Sequence, residues 1–408
     1  MPRCADSLFI LADDLSGAAD SALGAARQGL RSVVLFNGGA REQDEVVAVD
    51  ANSRYLPVED AQAVNVSLWR AYAAPARLFY KKIDSTLRGN FAAEMAALAD
   101  AGVAIVAPAF PLAGRTTHAG KVLVHGVPLE NTEIWKNEKI QGEADIVAIL
   151  NAHGVPATSV PVHKTRGDLA AELAGLVASG QFKALVCDAE DEEDLATIAS
   201  ASIDLPVYWV GSAGLLPHVS LAAGLVAKGE LPQVSVRGPI LTVVGSLSSV
   251  SQQQADSLGV LDEIAVFVIP LGLLRAGESH PSWPVFSKNI GEALGAGRDV
   301  LLRLEADAQS DLSQGHVLCQ ALGRLLQPWI DRVGALVATG GETARDLLAA
   351  FGAGGLRVVR DIEPGVPLSM ALGLHAMPVI TKAGAFGVPT TLLRCHAALR
   401  AIRLGTNE

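Results

Sequence analysis

ARLFYKKIDSTLRGN, residues 76–90, joins a short apolar run to ten residues of which seven carry a side chain able to hydrogen-bond. The run ARLFY has the length and aromatic content of a buried strand. The ten residues after it are out of character with the whole chain, in which only 18% of residues are charged. In open α/β sheets, ligands bind at the carboxyl edge, where each strand turns into the next helix. A strand that ends in Lys, Lys, Asp, Ser, Thr and Arg fits such an edge. The fold then turns on whether other strands end the same way.

They do. SLFILA (7–12) runs into Asp13-Asp14-Leu15-Ser16-Gly17-Ala18 and a small-residue helix. EVVAVD (45–50) runs into Ala51-Asn52-Ser53-Arg54, and GVAIVAP (102–108) into a stretch carrying Arg115, Thr116, Thr117 and His118. RSVVLF, KALVCDA and LPVYWVG read as further buried strands, with helical patterns between most of them. Short apolar strands alternating with helices predict βαβ units and a mostly parallel sheet. Between 108 and 135 the rhythm breaks: PAFPLAGRTTHAGKVLVHGVPLENTE is rich in Gly and Pro and contains a candidate hairpin, VLVHGVPL. A long irregular segment that keeps Arg, Thr and His among apolar residues reads as a functional loop.

At 408 residues the chain has room for two or three domains of ~150 residues. AKGELPQVSVRGP (227–239) reads as a linker and places a boundary near 231, giving domains 1–230 and 231–408. A second alternation comes after it: ILTVVGS, EIAVFVIP, RDVLLRLE, GALVATGG, LRVVRDIE and PVITKAG. The expected fold is α/β in two domains, each a mostly parallel sheet flanked by helices, with a cleft between them. Half of the residues are hydrophobic and only 5% are aromatic, so Ala, Val and Leu dominate, as suits helices packed on parallel strands.

Several classes are disfavoured. A net charge of −11 and a pI near 5.3 argue against a nucleic-acid partner, although a local Lys/Arg cluster can still hold a small anion. Cys4, Cys187, Cys319 and Cys395 form no C-x-x-C pair and read as free thiols of a reducing compartment. No run approaches ~18 apolar residues and the N-terminus lacks a signal-peptide pattern, so no membrane span and a cytoplasmic location are expected. There is no G-x-x-x-x-G-K-[ST], no G-x-G-x-x-G after a strand with an acidic partner downstream, and no H-E-x-x-H. No metal site is expected, and the acidic stretch DAEDEED (188–194) reads as the solvated first turn of a helix.

The strand ends of the first half suit a small, polyhydroxylated, anionic ligand. Lys82 and Arg88 offer charge-assisted bonds to a carboxylate, and Asp14 and Asp84 offer acceptors to hydroxyls. Plainer readings stand beside these: Asp13 or Asp14 as the cap of the following helix, and Asp84-Ser85-Thr86 as a capping turn. Lys81 is expected to face solvent, since neighbouring strand residues point to opposite faces. The second half offers main chain instead. Gly245-Ser246-Leu247-Ser248-Ser249, Gly340-Gly341-Glu342-Thr343 and Ala383-Gly384-Ala385-Phe386-Gly387 each come directly after a strand. Glycines let backbone N–H groups approach phosphate oxygens, and a helix N-terminus adds a positive dipole.

In order along nearly the whole chain, ADDLSGAAD (12–20), KKIDSTLRGN (81–90), PAFPLAGRTTHAG (108–120), VGSAGL (210–215), VVGSLSSVS (243–251), TGGETA (339–344) and EPGVPL with TKAGAFG (363–387) resemble the four-carbon acid sugar kinase family. The resemblance implies an ATP- and Mg²⁺-dependent transfer to the terminal hydroxyl of a C4 acid such as threonate, erythronate or an oxo-tetronate. It implies a sugar-acid site of Asp14, Asn52, Arg54, Lys82, Asp84, Ser85 and Arg88. It implies a nucleotide site of Ser246, Gly340, Gly341, Glu342, Thr343 and Gly384. In that mechanism Arg54 and Lys82 hold the carboxylate, Asp84 or Asp14 takes the hydroxyl proton, and Arg115 or Lys382 offsets charge on the phosphoryl group. The form KKIDSTLRGN looks closer to threonate or erythronate enzymes than to 3-oxo-tetronate enzymes. Ala383 and Ala385 depart from the Ser and Gly common in that turn. A homodimer is left open, as are a dehydrogenase or isomerase acting on the same ligand and a non-catalytic sensor.

Overall fold

Apolar runs of five or six residues bounded by Gly, Pro and polar turns form strands when helices cover both faces of the sheet, because each side chain then has an apolar wall to meet. In the computed structural model, which describes residues 5–36, 44–138, 142–227, 233–305, 315–373, 375–384 and 386–406, the chain divides into two units, Met1–Glu230 and Leu231–Glu408. Cys4, Ala385 and part of the 227–239 linker lie outside the described residues.

The first unit holds β1 (Ser7–Ala12), β2 (Ser32–Phe36), β3 (Val46–Asp50), β4 (Arg77–Lys82) and β5 (Val103–Ala107). It continues with β6 (Arg115–His118), β7 (Lys121–Val124), β8 (Val127–Pro128), β9 (Ala157–Val160), β10 (Ala184–Cys187) and β11 (Val207–Gly211). Eight of these run parallel in the order β2-β3-β1-β4-β11-β5-β10-β9. β2, β3 and β10 are buried along their whole length, as a sheet covered on both faces requires. The irregular stretch after β5 forms a separate antiparallel sheet, β6-β7-β8. Its hairpin turns through His125 and Gly126, both at positive φ (49° and 79°), as a two-residue type I′ turn demands.

The second unit holds β12 (Ile240–Val244), β13 (Ile264–Pro270), β14 (Asp299–Glu305), β15 (Ala335–Thr339), β16 (Ala353–Glu363), β17 (Val366–Gly373) and β18 (Pro378–Lys382). β13-β14-β12-β15-β18 run parallel, and β17 and β16 continue the sheet antiparallel. β9 and β17 lack a clear signature in sequence: ATSV is short, and VPLSMALG has Pro at its second position and mixes small with polar residues.

Lys81 departs from its expected place. It is fully buried, with its ammonium 2.8 Å from the equally buried Glu94 carboxylate on the helix Phe91–Ala97. The pleat does send Lys81 and Lys82 to opposite faces, but helices cover both. Glu94 also accepts from Ser53 Oγ, which in turn takes a bond from Asn65 Nδ2. Removing one partner of a buried pair strands the other charge. Glu94→Gln should therefore lower the unfolding free energy by roughly 3–5 kcal/mol, and adding Lys81→Met should recover more than half of it. Urea unfolding of the two variants checks this; equal losses would contradict the pairing.

Candidate active site

β1 lies between β3 and β4, with Ala12 opposite both Asp50 and Lys82, so the residues just past these ends are neighbours. Asp13 is buried and Asp14 caps the helix Leu15–Ala26, its Oδ1 accepting from Gly17 N at 2.8 Å. Arg54 reaches across from the β3 end. Its Nε and Nη2 donate to Asp13 Oδ2 and Oδ1 at 2.7 and 3.0 Å, and its Nη1 to Asp14 Oδ2 at 2.8 Å. The backbone repeats the tie, since Ser53 N and Arg54 N both donate to the Asp13 carbonyl. Burial alone would raise the Asp13 carboxyl, but the Arg54 guanidinium outweighs it and holds the group low.

The β4 end supplies a second pair. Arg88 grips Asp84 through Nε and Nη2 at 2.9 and 2.8 Å, and Thr86 donates to the same carboxylate from its N–H and its hydroxyl. Arg54 stands 4.0 Å away. Burial works against the Asp84 charge, yet Arg88 and Arg54 overcome it and keep this carboxyl far below the usual range. Lys82 is buried on the β1-helix side, its Nζ donating to the Ile83 carbonyl. Ser85 is also buried, whereas Asn52 is exposed at a positive φ of 49°.

Arg115, like Lys82, has no carboxylate partner among the described ion pairs, and it is the guanidinium of the site that lacks one. It faces the electrostatic field of Asp84 and Arg88, and burial pulls its pKa down despite Asp84. Its Nε is buried with no hydrogen-bond partner, and no carboxylate pairs with it among the described residues. Reading the sequence alone misses the pairing of Asp13 with Arg54, since Asp13 looks like the spare member of an Asp pair, whereas the turn read at Asp84-Ser85-Thr86 is present, with Thr86 N donating to Asp84 Oδ2 at 3.1 Å. The signal for Asp13 is an Arg four residues past the end of an adjacent strand.

In the second unit the three Gly-containing turns come after β12, β15 and β18, which are adjacent in the sheet. They pack on one another without room for side chains: a Cβ on Gly245 would sit 2.1 Å from Thr343 Oγ1, and one on Gly384 2.5 Å from Ser246 Oγ. Ser248 caps the helix Ser249–Gly259 and donates to the Gly384 carbonyl at 3.2 Å. Gly340, at φ 94°, precedes the helix Gly341–Ala350 with no side chain capping it. A glycine at this position places no capping side chain over the start of the helix, where the backbone dipole favours an anion. Glu342 is exposed, whereas Thr343 is buried with its hydroxyl against Cys319 Sγ. Lys382 Nζ donates to the carbonyls of Ala383, Gly384 and Phe386 at 2.9, 3.1 and 2.9 Å. It ties the last turn together.

Residues 8–219 match a family model described as a sugar-binding N-terminal domain, and residues 241–392 one described as a nucleotide-binding C-terminal domain. The chain is 45% identical to the D-threonate kinase of Cupriavidus necator over 97% of its own length and 99% of that protein. It is 32% identical to the D-threonate kinase of Salmonella typhimurium over 94% and 96%. The chain belongs to the four-carbon acid sugar kinase family. More distant relatives of this kinase are named D-erythronate and 3-oxo-tetronate kinases. A solved Salmonella typhimurium structure shares its fold with a TM-score of 0.80 at 20% identity, covering 96% of this chain and 99% of that one. No helix among the described residues is long and apolar enough to cross a membrane.

The Asp84–Arg88 pair makes a pH-dependent contribution to stability. The folded pKa of Asp84 lies below its unfolded value, so the contribution is complete above about pH 5 and is lost as the pH falls. The loss of unfolding free energy on Arg88→Leu should therefore be largest at neutral pH and shrink below about pH 5. Urea titrations at stepped pH check this; a loss independent of pH would contradict it.

Proposed function

We propose that the chain transfers the γ-phosphate of ATP to the terminal hydroxyl of D-threonate, the first unit holding the acid and the second the nucleotide. The observation that carries the reading is the lone guanidinium of Arg115, half-buried beside Asp84 and Arg88 with no carboxylate of its own among the described residues. A partly buried cation without a counter-ion loses hydration uncompensated, and a ligand carboxylate supplies what it lacks. The 45% identity to a D-threonate kinase favours D-threonate over the oxo acids.

Roles within the site depend on which acceptors are free. Arg54 is already engaged by Asp13 and Asp14, so its part is to fix those carboxylates rather than to hold the acid. Asp84 is filled by Arg88 and Thr86, so it is a weak base and acts by orienting Arg88. Asp14 keeps acceptor capacity: each oxygen takes one bond, and its side chain is 24% exposed. Asp14 is the group to accept the hydroxyl proton, with Arg115, Arg88 and Lys82 facing the carboxylate. Asn52 and Ser85 border the same strand ends and suit the hydroxyls. In the second unit, main-chain N–H groups at Gly341 and Gly384, with the Ser246 hydroxyl, suit phosphate oxygens, while the Gly340 N–H is taken by the Lys382 carbonyl at 2.8 Å and Gly340 contributes its open backbone. The departure at Ala383 removes no hydroxyl the turn depends on, because Lys382 already holds its carbonyls.

Phosphoryl transfer needs positioning and charge neutralisation more than covalent chemistry. Mg²⁺ would supply part of that neutralisation, bound chiefly by the phosphates and water. The buried Cys187, Cys319 and Cys395 are free thiols, which suits a cytoplasmic enzyme.

ADP release measured over D- and L-threonate, D- and L-erythronate and 3-oxo-tetronates tests the substrate: D-threonate should give the highest kcat/KM and a 4-phosphate product. Asp14→Asn preserves a good helix cap while removing the charge. It should lower kcat by about 10²–10⁴ with the KM for ATP unchanged. A drop of less than tenfold would move the base elsewhere.

A further inference from the structure

The motif VGSAGL (210–215) carries none of the charged groups of the acid site, yet it sits between the two halves of that site. β11 lies between β4 and β5, with Gly211 opposite both Lys82 and Ala107. Its turn is tied to each neighbour. On the β4 side, Ile83 N donates to the Gly211 carbonyl at 2.8 Å and Tyr80 Oη donates to the Ser212 carbonyl at 2.6 Å. On the β5 side, Ser212 Oγ donates to the Ala109 carbonyl at 2.9 Å while accepting from Gly214 N at 3.1 Å. Ala109 is succeeded by Phe110, which exchanges backbone bonds with Arg115 in both directions, at 2.8 and 3.1 Å. Ile83 is succeeded by Asp84. The approach is too close for side chains: a Cβ on Gly211 would lie 2.6 Å from Tyr80 Oη, and one on Gly214 2.6 Å from the Ala109 carbonyl oxygen.

We infer that the Gly211–Gly214 turn is the joint that sets Arg115 against the Asp84–Arg88 pair, with Ser212 a positioning residue acting through Arg115. The inference rests on the reading of Arg115 as the anchor of the acid. Ser212 is 1% exposed and its hydroxyl is the only side chain holding the Ala109 carbonyl among the described hydrogen bonds. Ala109 begins the segment that reaches Arg115, so freedom gained at its carbonyl is passed to Arg115 through the Phe110 bridge. The nucleotide turns belong to the other unit and are untouched.

The experiment is a double-mutant cycle between Ser212→Ala and Arg115→Ala, monitored by ADP release with D-threonate. Ser212→Ala should raise the KM for the acid about tenfold, corresponding to ~1.4 kcal/mol, and leave the KM for ATP unchanged. In the Arg115→Ala background the same change should add less than twofold, because the group it positions is gone. Ser212→Thr, which keeps the hydroxyl, should restore most of the affinity. Equal effects in both backgrounds, or parallel rises in both KM values, overturn the joint. If Ser212→Ala does not fold, Tyr80→Phe, which removes the other tie to the turn, should show the same selective rise at smaller size, and no rise overturns the joint. Failure of wild-type enzyme to release ADP with any four-carbon acid would defeat the functional reading alone. The joint is then judged from a crystal structure of the Ser212 variant, in which an unmoved Phe110–Arg115 bridge overturns it and a displaced one supports it.

Discussion

The first unit is organised around one buried guanidinium. Arg54 is brought by β3 to the end of β1, where it meets Asp13 edge-on and Asp14 from the side. A cation taken out of water is tolerated only where its N–H groups find acceptors and its charge a counter-charge. Two adjacent acids at a strand end meet both demands, and they also fix the angle at which the chain leaves the sheet. Asp14 is then held by three constraints: the β1 backbone, the helix it caps, and the Arg54 fork. An acceptor fixed in this way has little orientational freedom left to lose when a hydroxyl approaches, which is where positioning catalysis gains.

Much of this is legible because strand ends in parallel sheets are chemically exposed and strand bodies are not. KKIDSTLRGN and DDLSGA stand out as polar bursts after apolar runs, and both come at the ends of the adjacent strands β4 and β1. Pairing is harder to read. Sequence does not show which side of a covered sheet a Lys enters, so Lys81 looks exposed although Glu94, thirteen positions later on a short helix, is there to meet it. Nor does it show that Arg54 bonds back to Asp13 and Asp14. Both pairings are hidden for one reason: in a sheet covered on both faces, polar side chains find internal partners that lie far away in sequence. β9 and β17 escape for a different reason, since short or small-residue strands are stabilised by their neighbours more than by their own propensity.

The second unit uses main chain where the first uses side chains. Its three turns press so closely that Gly245 and Gly384 leave no space for a methyl group, and the hydroxyls of Ser248 and Ser251 bond to the Gly384 carbonyl. Lys382 illustrates the logic. A lysine at the end of a strand in a nucleotide-binding unit looks made for phosphate, yet here it gathers three carbonyls of its own turn. By turning carbonyl oxygens inward toward an ammonium, it removes from the turn surface the groups that would repel a polyphosphate. The uncapped start of the helix Gly341–Ala350 then presents N–H groups with no competing acceptor from a capping side chain.

Charge matching explains why such a pocket should prefer an acid to a neutral sugar of the same size. Arg54 has Asp13 and Asp14, and Arg88 has Asp84, so each of these cations is satisfied before any ligand arrives. Lys82 lies in the field of Asp13, whose charge is already met by Arg54. Among the described residues no carboxylate pairs with Arg115, and its buried Nε has no acceptor. A neutral polyol would bring hydroxyls to a site already rich in both donors and acceptors, and would leave Arg115 partly desolvated and uncompensated. On the proposed reading a carboxylate would relieve that deficit and, by occupying a fixed point at one end of a four-carbon chain, would set where the hydroxyl at the other end lies. Selectivity for the acid and placement of the reacting oxygen would then both follow from the same unpaired charge.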